Sequence, residues 1–113
     1  MINNKNVRVL LKGQAKEKYQ ELKKLNTKES KIMLKSIERV IDILKKNPQF
    51  GNPIPKRLIP ANFVVLGIKN FYRIKLSNYW RMLYTVEGNT IEIFLFVLSI
   101  VDHKEYDKLF GYD

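Results

Sequence analysis

FYRIKLSNYWRMLYTV, Phe71 to Val86, decides how the chain is read, because two strand-like runs meet in it at a turn whose length fixes which side chains share a face. In the first run Arg73 and Lys75 fall on one face and Tyr72, Ile74 and Leu76 on the other, since side chains alternate along a strand. Arg81, in the second run, depends on the turn. A two-residue turn at Ser77-Asn78 pairs Lys75 with Trp80 and leaves Arg81 opposite Ile74, on the apolar side. A bulge or a three-residue turn through Tyr79 pairs Lys75 with Arg81 instead. Burying an unpaired guanidinium is costly, so the longer turn is expected, with three cations on one face.

Three cations so grouped repel one another unless an anion sits between them, as a phosphodiester would. Arginine donors aimed at a phosphorane-like transition state supply electrostatic stabilisation, and a lysine crowded by two arginines is a candidate base. The aromatics Tyr79, Trp80 and Tyr84 could stack on unpaired bases, although by count most aromatics of such strands belong to a core. The plainer alternative is an ordinary solvated sheet face.

Downstream, Thr90 to Val101 is apolar on both faces, as a strand inside a sheet is, and DHKEYDKLFGYD closes the chain as a short helical turn or tail. Its His103, the single histidine of the sequence, cannot build a His-rich metal site. An imidazole does exchange protons near neutrality, so His103 is a candidate general acid or base. Upstream, Val64 to Leu76 and Tyr79 to Val86 read as strands with SN and EGN as the turns. Asn47 to Pro60 holds all 4 prolines and reads as an extended loop with Lys56 and Arg57 exposed.

Before the loop, Ala15, Tyr19, Leu22 and Leu25 recur at helical spacing in a helix ending near Asn26. Met33, Ile37, Val40, Ile41 and Leu44 form the stripe of a second helix, for which Asn26 and Glu29 have capping-box spacing. Val7, Val9 and Leu11 alternate as a first strand. The expected architecture is a single α+β domain over residues 1–113, of order β-α-α-β-β-β. An antiparallel sheet of about four strands carries a two-helix hairpin on one face, and a short C-terminal helix follows.

Composition bounds the function. The 113 residues include no cysteine, which excludes disulfides and thiolate chemistry, and no run approaches the ~20 apolar residues of a membrane span. MINNKNVR lacks the apolar core of a secretory signal, so a cytoplasmic protein is expected. The net charge is +10, and the excess sits in residues 1–60, with 15 basic against 5 acidic residues, whereas residues 61–113 hold 6 of each. An anionic partner such as nucleic acid fits this, as does a lysine-rich solubilising surface. No phosphate-binding glycine loop or nucleophile elbow is present, which leaves kinase, dehydrogenase and lipase chemistry unsupported.

In order and spacing these motifs resemble the RelE/ParE superfamily of type II toxin–antitoxin toxins, in its RelE-like branch. YRIKLSNYWRMLYTV resembles the family's basic strand, turn and Y-R-hydrophobic-hydrophobic-Y strand, and IEIFLFVLSIVDHKEYDKLF its apolar strand and terminal segment. The resemblance implies a ribosome-dependent mRNA endonuclease without metal or other cofactor. Its ribose 2′-hydroxyl attacks the adjacent phosphate, and an adjacently encoded antitoxin, acidic or DNA-binding, holds the toxin inactive. By position it implies Lys75, Arg81 and His103 as catalytic residues, with Lys75 a base or phosphate clamp and Arg81 the transition-state arginine. Arg73, Lys104, Lys56, Arg57, Tyr106 and Phe110 are the implied RNA-binding residues. Phe110 stands where many members carry a tyrosine, with Tyr106 and Tyr112 as neighbours, which shifts the acid step to His103. The ParE branch shares the fold, acts on DNA gyrase and does not cut RNA, so the alternative is a non-catalytic binder: a gyrase inhibitor or an RNA- or ribosome-binding protein.

Overall fold

The computed structural model describes residues 6–88 and 92–111, so the end of the expected EGN turn, the start of the expected last strand at Thr90, and Tyr112 lie outside the described residues. The alternating first run is strand β1, Asn6–Leu11, and helix α1 follows over Gly13–Leu25. Asn26 closes α1 in the left-handed conformation, φ 51°, which asparagine tolerates better than most residues. Helix α2, Lys28–Lys46, is therefore capped one position later than Asn26 and Glu29 suggest. Thr27 Oγ1 accepts from the Ser30 amide at 3.1 Å, and the Thr27 amide donates to Ser30 Oγ at 2.9 Å. Met33, Ile37, Val40 and Leu44 of α2 are buried against the sheet. Each such side chain contributes about 1.5–3 kcal/mol on leaving water, which is what seats the helical hairpin.

The sheet has five strands rather than four, in the order β1-β5-β4-β3-β2, where β2 is Asn52–Pro53, β3 Tyr72–Lys75, β4 Arg81–Gly88 and β5 Glu92–Val101. It is also mixed rather than antiparallel, because β1 runs parallel to β5, with Asn6 to Leu11 against Glu92 to Val97. Alternation in a sequence says which face a residue takes and nothing about which strand lies beside it. A second correction concerns Val64 to Leu76, which is not one strand. Ala61–Val64 forms a short helix, α3, opened by Pro60, whose carbonyl accepts the Phe63 and Val64 amides at 2.9 and 3.1 Å. Val65 is 81% exposed, and the chain turns at Gly67, φ 84°, before β3 begins.

Two side-chain amides extend strands that stop short. Gln14 donates to the Ile100 carbonyl at 2.9 Å and accepts its amide at 2.8 Å, continuing the cover of β5 where β1 has ended. Asn70 does the same for Val86 of β4, at 2.9 and 2.8 Å, ahead of β3. A bulge at Leu98, between the pairs Leu83–Ser99 and Tyr84–Val97, lets Val97 and Ile100 both face the helical hairpin. The opposite face carries a smaller core of Ile59, Phe63, Phe71, Leu83 and Val101, closed by Tyr106 of helix α4, His103–Phe110. The sheet is thus packed on both sides rather than one. Among the described residues no helix is long and apolar enough to cross a membrane.

Tyr84 lies fully buried under the hairpin, its ring stacked on Tyr72 at 5.1 Å and its hydroxyl accepting the Gly51 amide at 2.9 Å. Burial pushes this phenol up from 10.0 to about 12. The neutral form is the one the fold favours, so its contribution is complete below pH about 10 and declines as the pH rises toward about 12. Unfolding at a series of alkaline pH values is expected to show a fall in stability over that window that Tyr84→Phe lacks. The variant is also expected to be less stable at neutral pH by about 1–3 kcal/mol, because the buried Gly51 amide loses its acceptor.

Candidate nucleic-acid interface

The turn between β3 and β4 is the longer one. The Leu76 amide donates to the Trp80 carbonyl at 2.9 Å, Ser77–Tyr79 form a 3₁₀ turn between them, and Lys75 pairs with Arg81. Two successive left-handed residues make this possible, Asn78 at φ 58° and Tyr79 at φ 65°. Asparagine accepts that conformation cheaply and tyrosine does not. The turn is anchored on its other side, where the Ser77 amide donates to the buried Ser36 Oγ of α2 at 3.0 Å.

Arg73, Lys75 and Arg81 consequently share the face on which α4 packs. Lys75 is exposed and the two arginines are half-buried. Tyr106, only 5% exposed, lies between them: Arg73 Nη1 donates to its hydroxyl at 2.8 Å, and the guanidinium carbons of Arg73 and Arg81 lie 5.9 and 5.6 Å from its ring centre. The negative face of an aromatic ring attracts a guanidinium at this range, which offsets part of the repulsion between the two. Arg81 Nη1 also donates to the Tyr79 carbonyl at 2.7 Å and, more weakly, to that of Trp80 at 3.4 Å. Arg81 Nε is buried without a hydrogen-bond partner, the only such side-chain atom among the described residues.

Two shallow depressions meet at Arg81 and Tyr79. One, of about 410 Å³, adds Lys75, Leu76 and Asn78; the other, of about 420 Å³, adds His103 and Asp107. His103 and Lys104 are exposed in the first turn of α4, which is held by a reciprocal cap: Asp102 Oδ1 accepts the Glu105 amide at 2.8 Å, and Glu105 Oε1 accepts the Asp102 amide at 3.0 Å. The His103 ring meets Tyr79 edge-on at 6.4 Å. Phe110 packs on Tyr106 at 4.5 Å, half-buried. Lys56 and Arg57 are exposed on a separate 3₁₀ turn, Lys56–Leu58, and neither they nor Lys104 line the two depressions.

Of the three aromatics with stacking potential, Tyr84 is core, and Trp80 lies on the hairpin side with Lys18 Nζ 5.3 Å from its ring centre. Tyr79 alone of them is open, at 76% exposure. Asp107 is a lining residue that motif reading passed over; its signal was the helical i, i+4 spacing from His103. Among the described residues there is no group of three or more His, Cys, Asp or Glu able to hold a metal ion.

Against solved structures, the chain is similar to a YoeB/ParE toxin from Agrobacterium tumefaciens, with a TM-score of 0.60 and 16% sequence identity over 85% of this chain and 98% of that one. The chain has the YoeB/ParE toxin fold. No protein-family model matches the sequence, and no curated protein matches it. The two depressions draw Lys75 from β3, Leu76, Asn78 and Tyr79 from the turn, Arg81 from β4, and His103 and Asp107 from α4. Half of the net charge of +10 lies elsewhere, +2 on α1 and +3 on α2, where Lys28, Lys31, Lys35 and Arg39 of α2 are exposed.

Proposed function

We propose that the chain is the toxin of a type II toxin–antitoxin system and acts as a ribosome-dependent mRNA endonuclease. The pairing of Lys75 with Arg81 carries this reading, because it groups three cations on one face, and the likeness in fold to a YoeB/ParE toxin supports it. In the proposed reaction the 2′-oxygen of a ribose bonds to the adjacent phosphorus while its proton passes to the Lys75 nitrogen. The bond from phosphorus to the 5′-oxygen breaks, and that oxygen takes a proton from His103. A 2′,3′-cyclic phosphate and a 5′-hydroxyl result, with nothing oxidised or reduced and no metal drawn on. Arg81 stabilises the charge on the non-bridging oxygens. Lys75 lines one of the two depressions that meet at Arg81 and His103 the other, which supports a base and an acid flanking a phosphate seated on Arg81. Arg73, Lys104, Lys56 and Arg57 would hold flanking phosphates, Phe110 a neighbouring base, and an antitoxin would cover the basic face.

A non-catalytic binder is the second reading, a gyrase inhibitor or an RNA- or ribosome-binding protein. It is favoured by the engagement of the Tyr106 hydroxyl with Arg73 and by the lack of a hydroxyl at Phe110, which leave the acid step to His103. Purified protein in a translation extract separates the two. The endonuclease gives new mRNA 5′ ends at the ribosomal A site. The binder gives none, and its binding or growth arrest survives Lys75→Ala combined with His103→Ala, with DNA supercoiling inhibited in the gyrase case.

Tyr79 is proposed as a base-stacking residue, because an exposed tyrosine is kept in a left-handed conformation that costs on the order of 1–3 kcal/mol. Tyr79→Gly removes the ring and the strain together. Affinity for single-stranded RNA is expected to fall by about tenfold or more while the melting temperature holds or rises. Equal affinity would remove Tyr79 from the interface.

A further inference from the structure

We infer that Tyr106 is a positioning residue for the two arginines, setting their separation and direction from beneath without touching RNA; this rests on the proposed phosphate-binding role of the basic face. Tyr106 is 5% exposed, so its ring has no free face for a base, whereas both guanidiniums are within its reach. Its hydroxyl holds Arg73 Nη1 at 2.8 Å, and its ring lies under Arg81 at 5.6 Å. On its other side it is backed by Phe110, with ring centres 4.5 Å apart, and its place in the small core with Leu83 and Val101 leaves it little freedom. Two long, rotamer-rich cations are thereby ordered before any phosphate arrives, which lowers the entropy lost on binding. Arg81 completes the arrangement through its bond to the Tyr79 carbonyl. Phe110 then has a role that needs no hydroxyl: it supports the platform.

Three proteins test this: wild type, Tyr106→Phe, which keeps the ring and loses the hydroxyl, and Tyr106→Leu, which loses both. The first readout is the NMR signal of each arginine Nε–Hε group in the free protein. Both arginines are expected to be rigid in wild type. In Tyr106→Phe, Arg73 is expected to become mobile with Arg81 still ordered, and in Tyr106→Leu both are expected to be mobile. Binding of a short single-stranded RNA is the second readout. Its affinity is expected to fall about threefold to tenfold in Tyr106→Phe and further in Tyr106→Leu, with the melting temperature of Tyr106→Phe close to that of wild type. Arginine signals unchanged in Tyr106→Phe and Tyr106→Leu would overturn the inference, whatever RNA does. Wild type that fails to bind RNA would overturn the phosphate-binding reading, while the NMR measurement still decides the positioning of the arginines.

Discussion

Arg81→Ala is expected to lower the yield of new mRNA 5′ ends in a translation extract by about 10²–10³-fold, the loss typical when one preorganised donor to a developing oxyanion is removed. Folding is not expected to suffer. The side chain carries a buried Nε without a partner, and the bonds it makes at the turn, to Tyr79 and Trp80, go to carbonyls beside an exposed residue that water can reach. Arg81→Lys is expected to recover little of the activity, since a point charge cannot reproduce the planar fork of a guanidinium on a phosphate. Primer extension on the extract's mRNA reads the result directly. Wild-type yield from Arg81→Ala would remove Arg81 from the site and, with it, the use made of the Lys75–Arg81 pairing.

The largest effect on stability is expected from Gly51→Ala. A Cβ on Gly51 would sit 2.7 Å from the Arg73 carbonyl oxygen, 2.7 Å from the Tyr84 hydroxyl and 3.0 Å from Tyr84 Cε1. One obstacle is backbone and the other is a fully buried ring stacked on Tyr72, so neither yields without repacking. The displaced Tyr84 hydroxyl would also release the Gly51 amide. Overpacking of about 1–3 kcal/mol with an unsatisfied buried amide of about 1–3 kcal/mol sums to roughly 2–6 kcal/mol. For a domain of this size that lowers the melting temperature by roughly 10 °C or more, measurable by thermal or urea unfolding. A change under about 0.5 kcal/mol would show that β2 can move away from β3 freely. Because Arg73 is the residue struck, weaker RNA binding is expected alongside.

What the sequence made legible followed from side-chain period and sterics. The Arg81 register was legible because only the longer turn kept a guanidinium out of the apolar layer, and the pairing Lys75–Arg81 is the one found. Helix stripes were legible for a similar reason: Met33, Ile37, Val40 and Leu44 must share a face. Relationships between distant segments were not legible. Nothing in the alternation of Val7 and Val9 says that β1 lies parallel to β5, and nothing in Val64-Val65-Leu66 says that three apolar residues stand at the surface behind a proline-opened turn. At the site, the cations were visible as letters. The buried Tyr106 between them was not, because its position depends on how α4 docks across the sheet.

The parallel seam between β1 and β5 also sets the order in which the molecule can come into being. Gln14 and the residue it clasps, Ile100, are 86 positions apart, and the whole of β1 waits on β5. At about 5–20 residues per second, synthesis leaves the first strand without its neighbour for roughly 4–17 s. Pairings this remote in sequence are also the slow ones to close once the chain is available. Until residue 106 has been made, the arginines of β3 and β4 have no ring beneath them, so the growing chain carries Arg73 and Arg81 through the next 33 and 25 residues of synthesis without the arrangement that would aim them.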